Sequence, residues 1–347
     1  MEGAGKACIP NDRKVMVIGA GIAGRTAAKA LVDLGSQVIL VERSNPSSRG
    51  EPGQNNENVL VLIGSEVVGA ERDGAFRMEV ESVQGGCRQR AIYEVDAVIL
   101  ATGLVPIDGG LIPEFGLGRH RNVVSQQQLD VMLTAACELT RPSDGGPLST
   151  VVFIQCVGSR VEKRGVPYCS AVCCAGAIEC AIRLKQRDPK IGVYILYIDI
   201  RMAGKGQETM YKKARQLDVK FIRGQPALVA KKPQTEQLLV CGENTLLKEL
   251  YEIPTDLVVL GLGLREDPEN LELFHSLGVE LDREGLIKVS DVPHRAVMTS
   301  ANGVFVAGSA SAPMCVAEAE AMGIQAAHAA LAYLRSQSQH RFKHQNQ

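Results

Sequence analysis

The chain has 347 residues, 45% hydrophobic and 22% charged, with 38 Lys and Arg set against 39 Asp and Glu for a formal net charge of −1. That balance fits a globular protein of about two domains and steers it toward neither nucleic acid nor an anionic membrane surface. No apolar run approaches the roughly 20 residues of a membrane helix and Met1 to Asp12 lacks a signal-peptide core, so a cytoplasmic protein with no membrane span and no nucleic-acid partner is expected.

In chain order, Lys14 to Ile18 reads as a buried strand, followed by Gly19-Ala20-Gly21-Ile22-Ala23-Gly24, a helical stretch from Thr26 to Leu34, and a second strand from Gln37 to Val41 that ends at Glu42 and Arg43. This strand, GxGxxG, helix, strand, acid sequence is the dinucleotide-binding unit. Gly19 makes the tight turn, Gly21 admits a pyrophosphate, Gly24 lets helix and strand close up, and the helix N-terminus offers N–H groups to phosphate. Glu42 is placed to accept hydrogen bonds from a ribose. Residues 44 to 58 are polar and turn-rich and read as a loop. Alternating segments Val59 to Val68, Phe76 to Ser82 and Arg88 to Tyr93 resemble a small antiparallel ribbon, and Val95 to Leu100 is a buried strand closing on Ala101-Thr102-Gly103.

A linker with Pro142, Gly145, Gly146 and Pro147 precedes a second strand, Val151 to Ile154, a helix carrying cysteines, and strands at Ile191 to Ile200 and Thr255 to Leu260. Late in the chain, Gly303 to Gly308 runs from strand to glycine into an Ala-rich helix, Val316 to Leu334. The polar tail from Ser336 is expected to be disordered.

Ten cysteines are present, and four of them lie between Cys169 and Cys180. In a large chain without an export signal, such clustering points to metal or redox chemistry rather than a disulfide scaffold. Cys169 follows Cys156 by 13 positions, and Cys173 and Cys174 are adjacent. If the segment from Tyr168 is helical, Cys169 and Cys173 share a face. The spacing alone leaves a cubane iron–sulfur cluster, a structural zinc site and four buried free thiols open. Cys180 reads as core packing. Cys8, Cys87, Cys137, Cys241 and Cys315 are isolated, although Cys315 lies seven positions beyond Gly308, and no histidine falls in a motif.

GxGxxG does not separate NAD from FAD. The ribbon, the Ala101-Thr102-Gly103 exit and the late strand feeding a helix resemble flavoproteins of the thioredoxin-reductase-like group, an α/β fold of two Rossmann-like domains. That resemblance implies FAD held by Gly19, Gly21, Ile22, Ala23, Gly24, Glu42, Arg43, Val68, Ala101, Thr102, Gly103, Gly308 and Ser309. Many relatives carry Asp where this chain has Ser309. The second domain normally has its own glycine fingerprint for NAD(P)H. Here Gln155 and Cys156 stand in its place, and their side chains block close pyrophosphate approach, so a degenerate second domain is expected.

Gln155-Cys156-Val157-Gly158-Ser159-Arg160, Pro167-Tyr168-Cys169-Ser170, Val172-Cys173-Cys174, Ile198-Asp199-Ile200-Arg201, Gly204-Lys205 and Phe221-Ile222-Arg223-Gly224 resemble the A-type flavoprotein component of heterodisulfide reductase over nearly the whole chain. The resemblance implies a [4Fe–4S] cluster on Cys156, Cys169, Cys173 and Cys174 beside FAD, a homodimer, and other subunits of a heterodisulfide-reductase-like complex as partners, which handle a sulfur-carrier substrate. Family members thought to bifurcate electrons commonly have Lys where this chain has Glu179, a carboxylate that disfavours an anionic reduced flavin, so bifurcation is not expected. The further ferredoxin-like modules of methanogen members are not matched, and the short form resembles the corresponding component from bacteria that oxidise sulfur compounds in the cytoplasm. The expected domains are an FAD-binding part at 12–120, an inserted cysteine-bearing domain at 121–265, and the second FAD-binding part at 266–335. An NAD(P)H-dependent disulfide reductase using Cys173 and Cys174 as a redox pair is the enzyme alternative, and a zinc-stabilised binding module the third reading.

Overall fold

The computed structural model describes residues 13–44, 57–84, 87–135, 138–290 and 296–345. The chain divides into two compact units, the first built from residues up to Val105 and from Glu266 onward, the second from Pro106 to Arg265. The first crossing thus precedes the expected boundary at 120. Ile112, Phe115 and Leu117 join the apolar cluster of Val123, Ile154 and Leu260, and so belong to the second unit.

In chain order the first unit contributes β1 (Lys14–Ile18), α1 (Ile22–Asp33), β2 (Gln37–Glu42), β3 (Val59–Ile63), β4 (Ser65–Asp73), β5 (Ala75–Gln84), β6 (Cys87–Val95) and β7 (Ala97–Leu100), with a two-residue β8 (Val105–Pro106) at its exit. The second unit adds β9 (Val123–Ser125), α2 (Gln126–Thr134), β10 (Thr150–Val157), α3 (Cys173–Arg187), β11 (Gly192–Tyr197), α4 (Gln207–Gln216), β12 (Lys220–Arg223), β13 (Pro226–Lys231), β14 (Leu238–Asn244), β15 (Glu249–Thr255), β16 (Leu257–Leu262) and β17 (Leu264–Arg265). The chain then returns to the first unit with α5 (Leu271–Ser276), β18 (Val304–Val306) and α6 (Val316–Gln345).

Each unit is a parallel five-stranded sheet with a three-stranded antiparallel ribbon, in the orders β18-β7-β1-β2-β3 and β12-β11-β10-β16-β9. The strands are apolar on both faces because both faces are covered. In β1, Val15 and Val17 pack with α1 and α6 residues such as Leu31 and Leu331, whereas Met16 and Ile18 face Phe76 and Met78 of the ribbon. In β10 the same alternation sends Val151 and Phe153 toward Ala177 and Ile178 of α3, and Val152 and Ile154 toward Val229 and Val240 of the second ribbon.

Four sequence expectations change. Val59 to Val68 is not one ribbon strand, because Gly64 at φ +61° breaks it and leaves β3 as the parallel edge of the main sheet. The ribbon β13–β15 has no counterpart in the sequence reading, although Glu249–Thr255 alternates in burial. The tail from Ser336 continues α6 to Gln345, since no Gly or Pro interrupts it. Finally, α3 begins only at Cys173, with Ala171 at φ +61° before it, so Cys169 lies in the preceding loop and shares no helical face with Cys173. Most of the polar stretch 44–58, and Cys8 and Cys137, lie outside the described residues.

Candidate functional site: a dinucleotide cradle and a cysteine cluster

In the first unit, α1 starts at a bare N-terminus. Its N-cap is Gly21, no side chain caps it, and its first turn holds no acid, so its leading N–H groups face open space. The approach is tight by construction. A Cβ on Gly24 would lie 1.9 Å from the Gly19 carbonyl oxygen, and one on Gly19 would lie 2.3 Å from the Ala101 oxygen. Gly308 closes the same floor, because its Cβ would fall 2.6 Å from Ala23 Cβ, and a Cβ on Gly103 would stand 3.7 Å from Ser309 Oγ.

Beside this turn runs a cleft lined by Gly19, Glu42, Arg43, Val67, Thr102 and Asn270, among others. Glu42 sits at the end of β2, where Oε2 accepts the Ala20 N–H at 2.7 Å and Oε1 accepts from Ser44. The Thr102 hydroxyl is buried with no partner, an orphan donor and acceptor at the cleft wall. Arg43 is turned to Asp267, Glu66 and Glu269, which together hold its guanidinium charged. Val68 departs from expectation. It is the extra residue of a bulge between the Val67 and Gly69 pairings, and it lines a separate groove with Gly69 and Glu272, leaving Val67 on the cleft. An uncapped helix, glycines with no room for a Cβ and an orphan hydroxyl together fit the diphosphate and ribose of FAD.

In the second unit, Cys156 is the penultimate residue of β10, and Cys173 and Cys174 open α3. All three are buried, while Cys169 is half-buried in the loop. Cys156 and Cys174 each interact with the sulfur of Cys173, and Cys169 is near enough to act electrostatically on both. The thiols of Cys156 and Cys174 are pushed up, first by hydrogen bonding to Cys173 and then by burial. Cys173 is held down by the S–H groups of those two neighbours, so the group stabilises one thiolate readily and further charge poorly. Cys169 Sγ accepts the Ala171 N–H at 3.4 Å. Among the described residues, no set of three or more His, Cys, Asp or Glu is arranged as a ready-made metal cage. Three of the sulfurs are nonetheless in contact through Cys173, with Cys169 close enough to act on two of them, and the chemistry of the set suits a soft metal or cluster held by thiolates.

The backbone around them is strained. Of six non-glycine residues with positive φ among those described, Cys156, Arg160 and Ala171 lie in this one segment. Arg160 pairs with Asp199 at 2.8 Å and also donates to Cys156, bringing a cation to the sulfurs. Glu179 is exposed on α3, between buried Ile178 and Cys180. Cys180 lies in the α3 core and burial pushes its thiol up to about 12, in keeping with a packing role. Sequence reasoning passes over Gly323, whose missing side chain seats α6 on Ala23 of α1, and Gln126, whose amide lies against Gly176 of α3. Neither has a local motif to announce it.

The family described as pyridine nucleotide-disulphide oxidoreductase matches residues 13–332. The chain belongs to that family. It is therefore an FAD-dependent oxidoreductase, and within the family it groups with the A-type components of heterodisulfide reductases. It is 42% identical over 241 residues to the A-type iron-sulfur subunit of the CoB–CoM heterodisulfide reductase of Methanocaldococcus jannaschii, covering 68% of this chain and 37% of that protein. Identity is 41% over 260 residues to the A-type subunit of the H2/formate:CoB-CoM heterodisulfide,ferredoxin reductase of Methanococcus maripaludis, 74% of this chain and 39% of that one. The chain thus spans well under half the length of these curated relatives. The thioredoxin reductase of T. acidophilum shares the fold, with a TM-score of 0.61 at 19% identity over 94% of this chain and 99% of that one. No helix among the described residues is long and apolar enough to cross a membrane.

Proposed function

We propose that the chain is an electron-transfer subunit that holds FAD in its first unit and a [4Fe–4S] cluster on Cys156, Cys169, Cys173 and Cys174 in its second. The observation that carries this reading is the contact of three buried cysteine sulfurs, with a fourth cysteine in the adjoining loop, at the junction between the end of β10 and the start of α3, the position where a nucleotide-binding domain would present its glycine turn. FAD supplies exchange of electron pairs and an iron–sulfur cluster supplies single-electron steps. The residues of the chain do the rest. The α1 N-terminus and Thr102 bind the diphosphate end, Glu42 orients the ribose, and Arg160, fixed by Asp199, offsets the negative charge of four thiolates.

In this reading the second unit is a degenerate NAD(P)H-type domain, and the other expected FAD residues keep their roles, with Val67 rather than Val68 on the cleft. The partners are other subunits of a heterodisulfide-reductase-like complex assembled on a homodimer, serving cytoplasmic oxidation of sulfur compounds, with the sulfur-carrier substrate handled by those partners. Flavin, iron and labile sulfide measured together on anaerobically purified protein test it. One flavin with about four irons and four sulfides per chain is expected, and Cys156→Ser should lose most of the iron while keeping the flavin. Zinc in place of iron would establish the binding-module reading. Unchanged iron in Cys156→Ser would reject the ligand set.

A further inference from the structure

The side chain of Gln155 is fully buried, and neither its Nε2 nor its Oε1 has a hydrogen-bond partner. Leaving a carboxamide buried and unpaired costs about 1–3 kcal/mol, so such a group in a folded core calls for an explanation. Sequence reasoning gives Gln155 only a blocking role at a lost fingerprint. The structure shows where it goes. By the alternation of β10, Gln155 follows Val151 and Phe153 onto the α3 face. There its Oε1 packs on Gly261, which also borders Cys173, since a Cβ on Gly261 would lie 2.8 Å from Gln155 Oε1 and 3.3 Å from Cys173 Cβ. The backbone is pinned as well, because Gln225 Nε2 donates to the carbonyl oxygens of Gln155 and Cys156 at 3.1 and 3.2 Å. The carboxamide and Cys173 thus flank the same glycine, Gln155 is adjacent in sequence to Cys156, and the amide hydrogens are unclaimed.

We infer that Gln155 is a positioning residue for the redox centre, donating an Nε2 hydrogen bond to a sulfur of the cluster bound by Cys156 and Cys173. The inference rests on the cluster reading above. A donor to sulfur favours the more negative, reduced cluster and so raises its reduction potential. Gly261 has the complementary task of leaving the carboxamide its space.

The test uses the full chain reconstituted with its cluster and FAD, with cluster potential read by EPR-monitored titration. Gln155→Leu, which keeps the shape and removes the donor, should lower the reduction equilibrium constant about tenfold, about 59 mV for a one-electron couple, with iron content unchanged. Gly261→Ala, which crowds the carboxamide, should shift the potential in the same direction. Should Gln155→Leu fail to retain a cluster, the unaltered protein still decides. Its Fe–S vibrational bands should shift between H2O and D2O, and those of Gly261→Ala should shift less. Equal potentials in all three proteins, or bands insensitive to deuterium, would overturn the role of Gln155 while leaving the cluster intact. Unaltered protein that binds no iron would overturn the cluster reading itself, and this role with it.

Discussion

Glu266 shows how one side chain carries a consequence that no motif signals. It is buried, its Oε1 accepts from Asn270 Nδ2 at 2.8 Å and from the Asp267 N–H at 3.0 Å, and its Oε2 has no partner. Burial pushes its carboxyl up to about 7, against the opposing pull of those hydrogen bonds. The folded state therefore keeps a proton that the unfolded chain releases near the ordinary carboxyl value. Stability contributed by this group falls as pH rises from about 4.5 through about 7, by up to roughly 3 kcal/mol. Urea unfolding at pH 5 and pH 8 should show that loss in the unaltered protein and a much smaller one in Glu266→Gln. Equal pH dependence would mean that the carboxyl is ionised throughout. At the same scale, Gly19, Gly21 and Gly24 were legible because their spacing is itself the signal. Gln155 was legible only as an intruder in that spacing, because its unpaired amide and its neighbour Gly261 lie 106 positions apart in sequence.

Among the elements, α1 and α6 form the platform under the dinucleotide turn. Ala23, Ala27 and Leu31 pack with Ala326, Ala327 and Ala330, and the alanines are small enough for close helix approach. Gly323 is a tight point, where a Cβ would lie 2.5 Å from the Ala23 carbonyl oxygen, backbone that cannot yield cheaply. Gly323→Leu should cost about 2–3 kcal/mol by overpacking and lower flavin content, measured by thermal unfolding and by absorbance of the purified variant; a fully flavinated variant of unchanged Tm would refute the platform argument. The Ala-rich pattern made α6 readable, but its extension to Gln345 was not, since polar composition weakens a helical reading without stopping the helix. The loop before α3 is hard to read for the opposite reason, because Tyr168 to Val172 holds no Gly or Pro to mark it as a loop, whereas the positive φ of Ala171 takes it out of the helix.

For the whole molecule, the testable consequence concerns nicotinamide cofactors. With Cys173 and Cys174 at the start of α3 and Gln155 and Cys156 at the end of β10, the second unit lacks the bare glycine turn that the first unit has. NADH or NADPH added anaerobically should leave the flavin absorbance essentially unchanged over minutes, whereas a strong chemical reductant bleaches it. Rapid bleaching by either nucleotide would favour the disulfide-reductase alternative. The sequence by itself determined the dinucleotide unit and the family, because each depends on residue types at short, fixed spacings along the chain. Only the tertiary structure decided that Val67 rather than Val68 faces the cleft, that Cys169 lies in a loop before α3, and that the unpaired Gln155 carboxamide packs on Gly261. Those outcomes depend on a bulge, on positive-φ residues and on sheet neighbours remote in sequence, which local pattern does not encode.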